Sequence, residues 1–126
     1  MDVHIAKLRE AILYAESEFG EGLLSFAIYG TDSGLEIVAR KPHPKATALF
    51  PELIETIDAK LARADILPPV GDSMLIRLAE GRLVVVLCFS AALQGLLLVD
   101  LSLVSIGAVV SMVVPRLLDL GRQAVS

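Results

Sequence analysis

RLVVVLCFSAALQGLLLVD, from Arg82 to Asp100, carries no charge between its two ends, and its reading decides the fold. Leu83–Phe89 within it is dense in valine and apolar at odd and even positions alike. Valine packs well on a pleated surface, and apolarity on both faces belongs to a central strand covered by helices on either side. Ser90–Gly95 reads as a longer turn leading to a further strand at Leu96–Val99. The competing reading makes 83–118 a membrane-embedded helical hairpin, with Leu83–Val99 as one arm and Leu101–Pro115 as the other. The 17 residues of Leu83–Val99, polar only at Ser90 and Gln94, reach the lower end of what a spanning helix needs. Three features weigh against it: the valine content, the break at Ser90–Gly95 in mid-span, and the lack of tryptophan or flanking tyrosine for an aromatic belt.

Outward from this run, Ser73–Ala79 reads as a strand, Glu80-Gly81 as a tight turn and Arg82–Phe89 as its partner. Downstream, Ser102 is placed to cap a helix over Leu103–Leu120, with Pro115 kinking it and Gly121 as its stop. At the other end, Ile5, Leu8, Ile12, Ala15 and Phe19 recur at helical steps over Val3–Phe19, and Gly20 is placed to end that helix. Leu23–Tyr29 and Leu35–Arg40 are short strands joined by Gly30–Gly34, a hairpin with a five-residue loop. The prolines of Lys41-Pro42-His43-Pro44-Lys45 make a stiff connection. A second helix is predicted over Thr47–Ala64, capped by Thr47 and with Pro51 near its first turn. Its core stripe would be Leu49, Leu53, Ile57 and Leu61, widened by Phe50 and Ile54. The order α-β-β-α-β-β-β-α predicts an α/β (α+β) fold. Its five-stranded, mostly antiparallel sheet is sandwiched between the second helix on one side and the first and third on the other.

Composition narrows the function. The chain of 126 residues is expected to form one domain (1–126), and 55% of it is hydrophobic, with a mean hydropathy of +0.69. That is more apolar than an ordinary soluble domain, so part of the surface is expected to be hidden either in a partner or in lipid. A net charge of −4 gives no basic field for nucleic acid. Cys88, the single cysteine, reads as a small core residue. Met1–Glu10 carries Asp2, Lys7, Arg9 and Glu10 and no apolar run, which predicts no secretory signal and a reducing, cytoplasmic setting.

The element order resembles the Roadblock/dynein light chain family, in particular its MglB-like regulators of small GTPases. The Gly-flanked hairpin from Leu23 to Arg40 carries the resemblance, as does Val99-Asp100-Leu101-Ser102-Leu103-Val104-Ser105-Ile106-Gly107. This passage looks like the family's acidic-to-glycine link from the last strand into the last helix. Longin and profilin-like domains have related layouts. The resemblance implies a homodimer or heterodimer in which the third strand pairs across the dyad and the second helices lie side by side. It also implies binding of a small Ras-like GTPase or a scaffold role, with no active site and no cofactor. Carried onto this chain, the dimer interface would use Met74, Leu75, Ile76 and Leu78. The partner would meet Glu52, Glu55, Thr56 and Arg63 on the second helix. The alternatives are a longin- or profilin-type adaptor and the small membrane-anchored protein described above.

No catalytic or metal-binding constellation emerges. His4 and His43 have no ligand spacing with each other or with Cys88 and read as solvated. Gly30–Gly34 lacks the Lys-Ser/Thr or G-x-G-x-x-G continuation of a phosphate loop, so Asp32 reads as a turn-former. Glu52, Glu55 and Asp58 read as a charged, solvated helix face that could also meet a partner. Asp100 reads as the mark of the turn into the last helix.

Overall fold

In the computed structural model, which describes residues 3–125, the Arg82–Asp100 run is a tight hairpin and not a pair of membrane helices. Met1 and Asp2, part of the N-terminal stretch read above, and Ser126 lie outside the described residues. Strand β4 (Arg82–Ser90) turns through Ala91-Ala92 directly into β5 (Leu93–Asp100), and Ser90 pairs with Leu93. Leu93–Gly95, expected in a longer turn, therefore belongs to the ladder. Gly95 is the reason the turn reading fails. It lies under two aromatic rings, where an added Cβ would stand 3.1 Å from the Phe89 ring and 3.4 Å from that of Phe26. Here glycine permits close approach and does not mark a bend.

Strand β5 is zipped between β4 and β1 (Leu23–Gly30), antiparallel to both. With β2 (Glu36–Arg40) beside β1 and β3 (Ser73–Leu78) beside β4, the sheet order is β2-β1-β5-β4-β3. Alternation along the strands sends side chains into two cores. Phe26, Ile28, Leu83, Val85, Leu87 and Leu97 face a layer made by α1 (Ile5–Phe19) and the C-terminal helices. Ala27, Tyr29, Val84, Val86 and Leu96 face α2 (Pro44–Arg63). The α+β sandwich expected from element order is present. Among the described residues no helix is long and apolar enough to cross a membrane.

Several local readings are corrected. Helix α1 starts at Ile5, which is exposed, while Val3 bridges to Val125. Helix α2 starts at Pro44 and not Thr47, because proline with its fixed φ and missing N–H suits the first helical position. Thr47 is therefore inside the helix, fully buried, with its hydroxyl donating to Pro44 O at 3.0 Å and Gly34 O at 3.3 Å. Pro51 lies in the helix interior. The core line of α2 is Thr47, Phe50 and Ile54, whereas Leu49 is 53% exposed and Leu53, Ile57 and Leu61 are half-buried.

The last helical region begins after Ser105, whose Oγ accepts from Ala108 N–H, so Ser102 does not cap it. It runs as α3 (Ile106–Ala108), a π-helical stretch (Val109–Val113) and α4 (Val114–Gln123). The wide π turn sits just before Pro115, which lacks an N–H and occupies the first turn of α4. The irregularity expected at Pro115 takes that form. Gly121 is not a stop but an interior, buried residue of α4, pressed on the Phe89 ring. A Cβ at Gly121 would lie 2.1 Å from Phe89 Cδ1. Gly121→Ala should therefore destabilise the fold by about 1–3 kcal/mol through overpacking, despite alanine's better helix propensity. Denaturant titration checks this, and Phe89→Leu in the same chain should recover part of the loss.

Candidate functional surfaces on the two flanks of α2

Helix α2 rests on the sheet by a narrow line of contacts, which leaves an opening on each flank. The first opening is apolar. Its floor is sheet, formed by Leu78, Val84, Leu96 and Leu98, and its wall is Ala46 and Phe50, enclosing about 370 Å3. Lys45 and His43 stand at one rim. Leu78 is 49% exposed and Leu49 is exposed as well, so this flank presents apolar surface to solvent. The floor continues to β3, an edge strand with β4 on one side and, among the described residues, no strand on the other. Period-two alternation places Met74, Ile76 and Leu78 on the α2 face. Met74 and Ile76 are partly buried against the α2-side core, and Leu75 packs against the opposite one. The four residues carried over from the family resemblance thus divide between two faces. An edge strand with free N–H and C=O groups beside an apolar groove is a template for pairing with another chain.

The second opening is polar. Thr31, Asp32, Glu55, Asp58, Cys88 and Gln94 line a cleft of about 550 Å3 between α2, the β1–β2 loop and the β4–β5 turn. Its walls are tied together: Thr31 Oγ1 donates to Ala91 O at 2.8 Å, and Val70 N–H donates to Asp58 Oδ1 at 2.7 Å. Asp58 is accordingly a half-buried anchor for the loop after α2, not part of a solvated face. Gln94, 7% exposed, accepts from Tyr29 Oη at 3.2 Å. Burial pushes the Tyr29 phenol above its ordinary range, with the neighbouring Cys88 adding to the rise. Cys88 is half-buried at the cleft and not enclosed in the core. Burial pushes its thiol upward, and the carboxylates of Asp58 and Asp72 push it further.

Glu52, Glu55, Thr56 and Arg63 are exposed on α2, and Thr56 Oγ1 donates to Glu52 O within the helix. Asp32 accepts from Ser33 N–H in the hairpin loop, as a turn-former does. His4 and His43 are exposed at the starts of α1 and α2. Asp100 closes β5: Oδ1 accepts from Ser102 Oγ at 2.7 Å and Ser102 N–H at 2.9 Å, with Arg82 3.4 Å away. Those two hydrogen bonds, then Arg82, hold its carboxyl below the usual range. Among the described residues no three His, Cys, Asp or Glu side chains come together as a metal site. Sequence reasoning missed Gln94, Asp58 and Thr31 as cleft residues. The polar Gln94 inside an otherwise apolar strand was the available signal.

No protein-family profile matches the sequence, and no curated protein is detectably similar to it. Solved structures are similar in fold. MglB of Myxococcus xanthus superposes with a TM-score of 0.79 at 8% identity, covering 98% of this chain and 90% of that one. An MglB with a tetrameric arrangement gives 0.69 at 12% identity, covering 97% and 92%. A Roadblock/LC7 domain from Streptomyces avermitilis gives 0.56 at 13% identity, covering 81% and 84%. The chain has the Roadblock/MglB fold.

The Cys88 environment makes a direct prediction. Its alkylation by iodoacetamide should be slower at pH 8 than that of free cysteine, with a rate midpoint above the ordinary thiol value of about 8.5. Asp58→Asn, whose amide oxygen still accepts from Val70, should move the midpoint down. A midpoint at or below the ordinary value would contradict the described environment.

Proposed function

We propose that this chain is a single-domain, non-enzymatic, cytoplasmic regulator of Roadblock type that forms a dimer and binds a small Ras-like GTPase. The observation that carries the reading is the continuity of an unpaired β3 edge with the apolar flank of α2. In the proposed dimer β3 meets β3 of a second copy. Met74, Ile76 and Leu78 are then covered by the two α2 helices, which touch through Leu49 and Leu53. Leu75 contributes from the other face of the same strand. An isologous contact of this kind places identical residues near each other at the dyad. The tetrameric arrangement of a fold relative supports self-association as a habit of the fold.

The proposed GTPase surface is the part of α2 turned away from the sheet: Glu52, Glu55, Thr56 and Arg63. A dimer displays two copies of it. Regulation requires only that the chain bind one nucleotide state of the partner better than the other, which shifts the partner's population without any chemistry here.

Two measurements test the reading. Ile76→Lys should convert a dimer at micromolar concentration into a monomer by light scattering, with the far-ultraviolet helical signal retained, because like charges would meet near the dyad. A wild-type monomer over that range would sink the dimer. Glu52→Lys, Glu55→Lys and Arg63→Glu should leave the dimer intact, since exposed substitutions cost within about 0.5 kcal/mol. The same variants should abolish binding of the GTPase in its preferred nucleotide state. Normal binding by all three would remove α2 as the partner surface, and equal binding of the GDP and GTP forms would reduce the protein to a tether.

A further inference from the structure

Helix α2 runs out into an exposed apolar hook. Asp65 takes the left-handed conformation, with φ 62°, and turns the chain away from the helix axis. Ile66 follows at 88% exposure, its N–H donating back to Ala64 O at 2.6 Å, and Leu67 is exposed beside it. Pro68 and Pro69 then fix their own φ, and Val70 N–H is held by Asp58 Oδ1. Both ends of the hook are thus anchored, and two large apolar side chains are presented to water on a stiff frame. Left there, they forfeit most of what their burial could contribute.

The hook and the apolar groove lie on the same face of the sheet, because Val70 packs with Phe50 and Val84 in the α2-side core. They lie at opposite ends of α2. The groove is beside the start of the helix and the last residue of β3, Leu78, whereas the hook leaves the end of the helix and enters β3 at Ser73. Within one chain the hook cannot reach the groove, since Lys45 and Arg63 are about 27 Å apart at 1.5 Å per helical residue. A two-fold contact removes that separation. When β3 pairs antiparallel with its own copy about its middle, between Leu75 and Ile76, Leu78 falls opposite Ser73 of the second copy. The same operation lays the start of α2 beside the end of the second copy's α2. Each hook then arrives at the other copy's groove. The charges match as well: Lys45 and His43 stand at the rim of the groove, and Asp65 directly precedes the hook.

We propose that Ile66 and Leu67 of one copy seat in the apolar groove of the other, against Phe50 and Leu78, with Asp65 beside Lys45. Each groove is completed by a segment of its neighbour, and the exchange occurs twice by symmetry. The proposal rests on the β3-paired dimer of the preceding reading and deepens it. It assigns the groove to the second copy of this chain, not to a ligand or to the GTPase.

The test compares full-length Ile66→Ser and Leu13→Ser with the wild type by analytical ultracentrifugation from nanomolar to micromolar concentration. Both side chains are exposed in the single chain, and Leu13 is on α1, across the sheet from the groove. Neither change should therefore alter the far-ultraviolet signal. Ile66→Ser should weaken the dimer at least about tenfold, since each dimer loses two seated side chains, and Leu13→Ser should leave it unchanged. In a Cys88→Ser background, Ile66→Cys combined with Lys45→Cys should give a covalent dimer with a short bismaleimide, whereas Leu13→Cys combined with Lys45→Cys should not. Wild-type affinity in Ile66→Ser, equal losses in the two serine variants, or no cross-link between positions 66 and 45 would overturn the hook exchange. Any of these with a wild-type dimer still present leaves the β3 pairing standing. A wild-type monomer at micromolar concentration would remove the dimer reading and the hook exchange together.

Discussion

Everything in this molecule hangs on β5 being inserted between β1 and β4. Those two strands are separated by a hairpin, a long helix and an edge strand, and the last strand of the sequence alone joins them. Leu93, Leu97 and Val99 are buried on one face and Leu96 on the other, so the insertion makes both cores at once. Burying each such side chain contributes roughly 1.5–3 kcal/mol, and the ladder on both edges satisfies the backbone polar groups. A segment with that role must be apolar on both sides, which is why it imitates a membrane span in sequence. The tight Ala91-Ala92 turn and the flat approach of Gly95 under Phe26 and Phe89 bring it to register.

Closing the sheet from the middle pushes the chain's least hydrophobic strand content outward. Strand β3 ends at an edge, exposed at Leu78 and half-buried before it. Helix α2 crosses that sheet on a narrow line of Thr47, Phe50 and Ile54. A helix held so sparingly has two flanks to offer, and the sequence gives them opposite characters. One flank continues the apolar surface of β3; the other gathers carboxylates around Gln94. In the proposed regulator, the first flank is used for self-association and the outer face for a partner.

Much of the architecture was legible because long-range and local signals agree. Valine density and two-sided apolarity in Leu83–Phe89 mark a central strand, and the three- and four-residue steps of Leu8, Ile12, Ala15 and Phe19 mark α1. The errors share a cause: residues with two physical uses. Gly95 and Gly121 read as breaks but serve as gaps for the Phe89 ring, and a ring's position is not written in a single sequence. Pro44 reads as a helix breaker yet starts α2. Leu49 is on a helical apolar stripe but not in the core, since periodicity gives a stripe and not its centre. The acidic cleft was half visible. Its carboxylates were noticed as a face of α2, but Asp58 reaching Val70 and Gln94 reaching Tyr29 depend on tertiary closure.

The central claim is that the outer edge of β3 is paired with a second copy of the chain. Amide hydrogen exchange, followed residue by residue across Ser73–Leu78 at high and at low protein concentration, addresses that edge directly. The account predicts that the outward-pointing amides are protected at micromolar concentration and lose protection on dilution, while those bonded to β4 stay slow throughout. Outward amides that exchange as freely at high concentration as at low would contradict it.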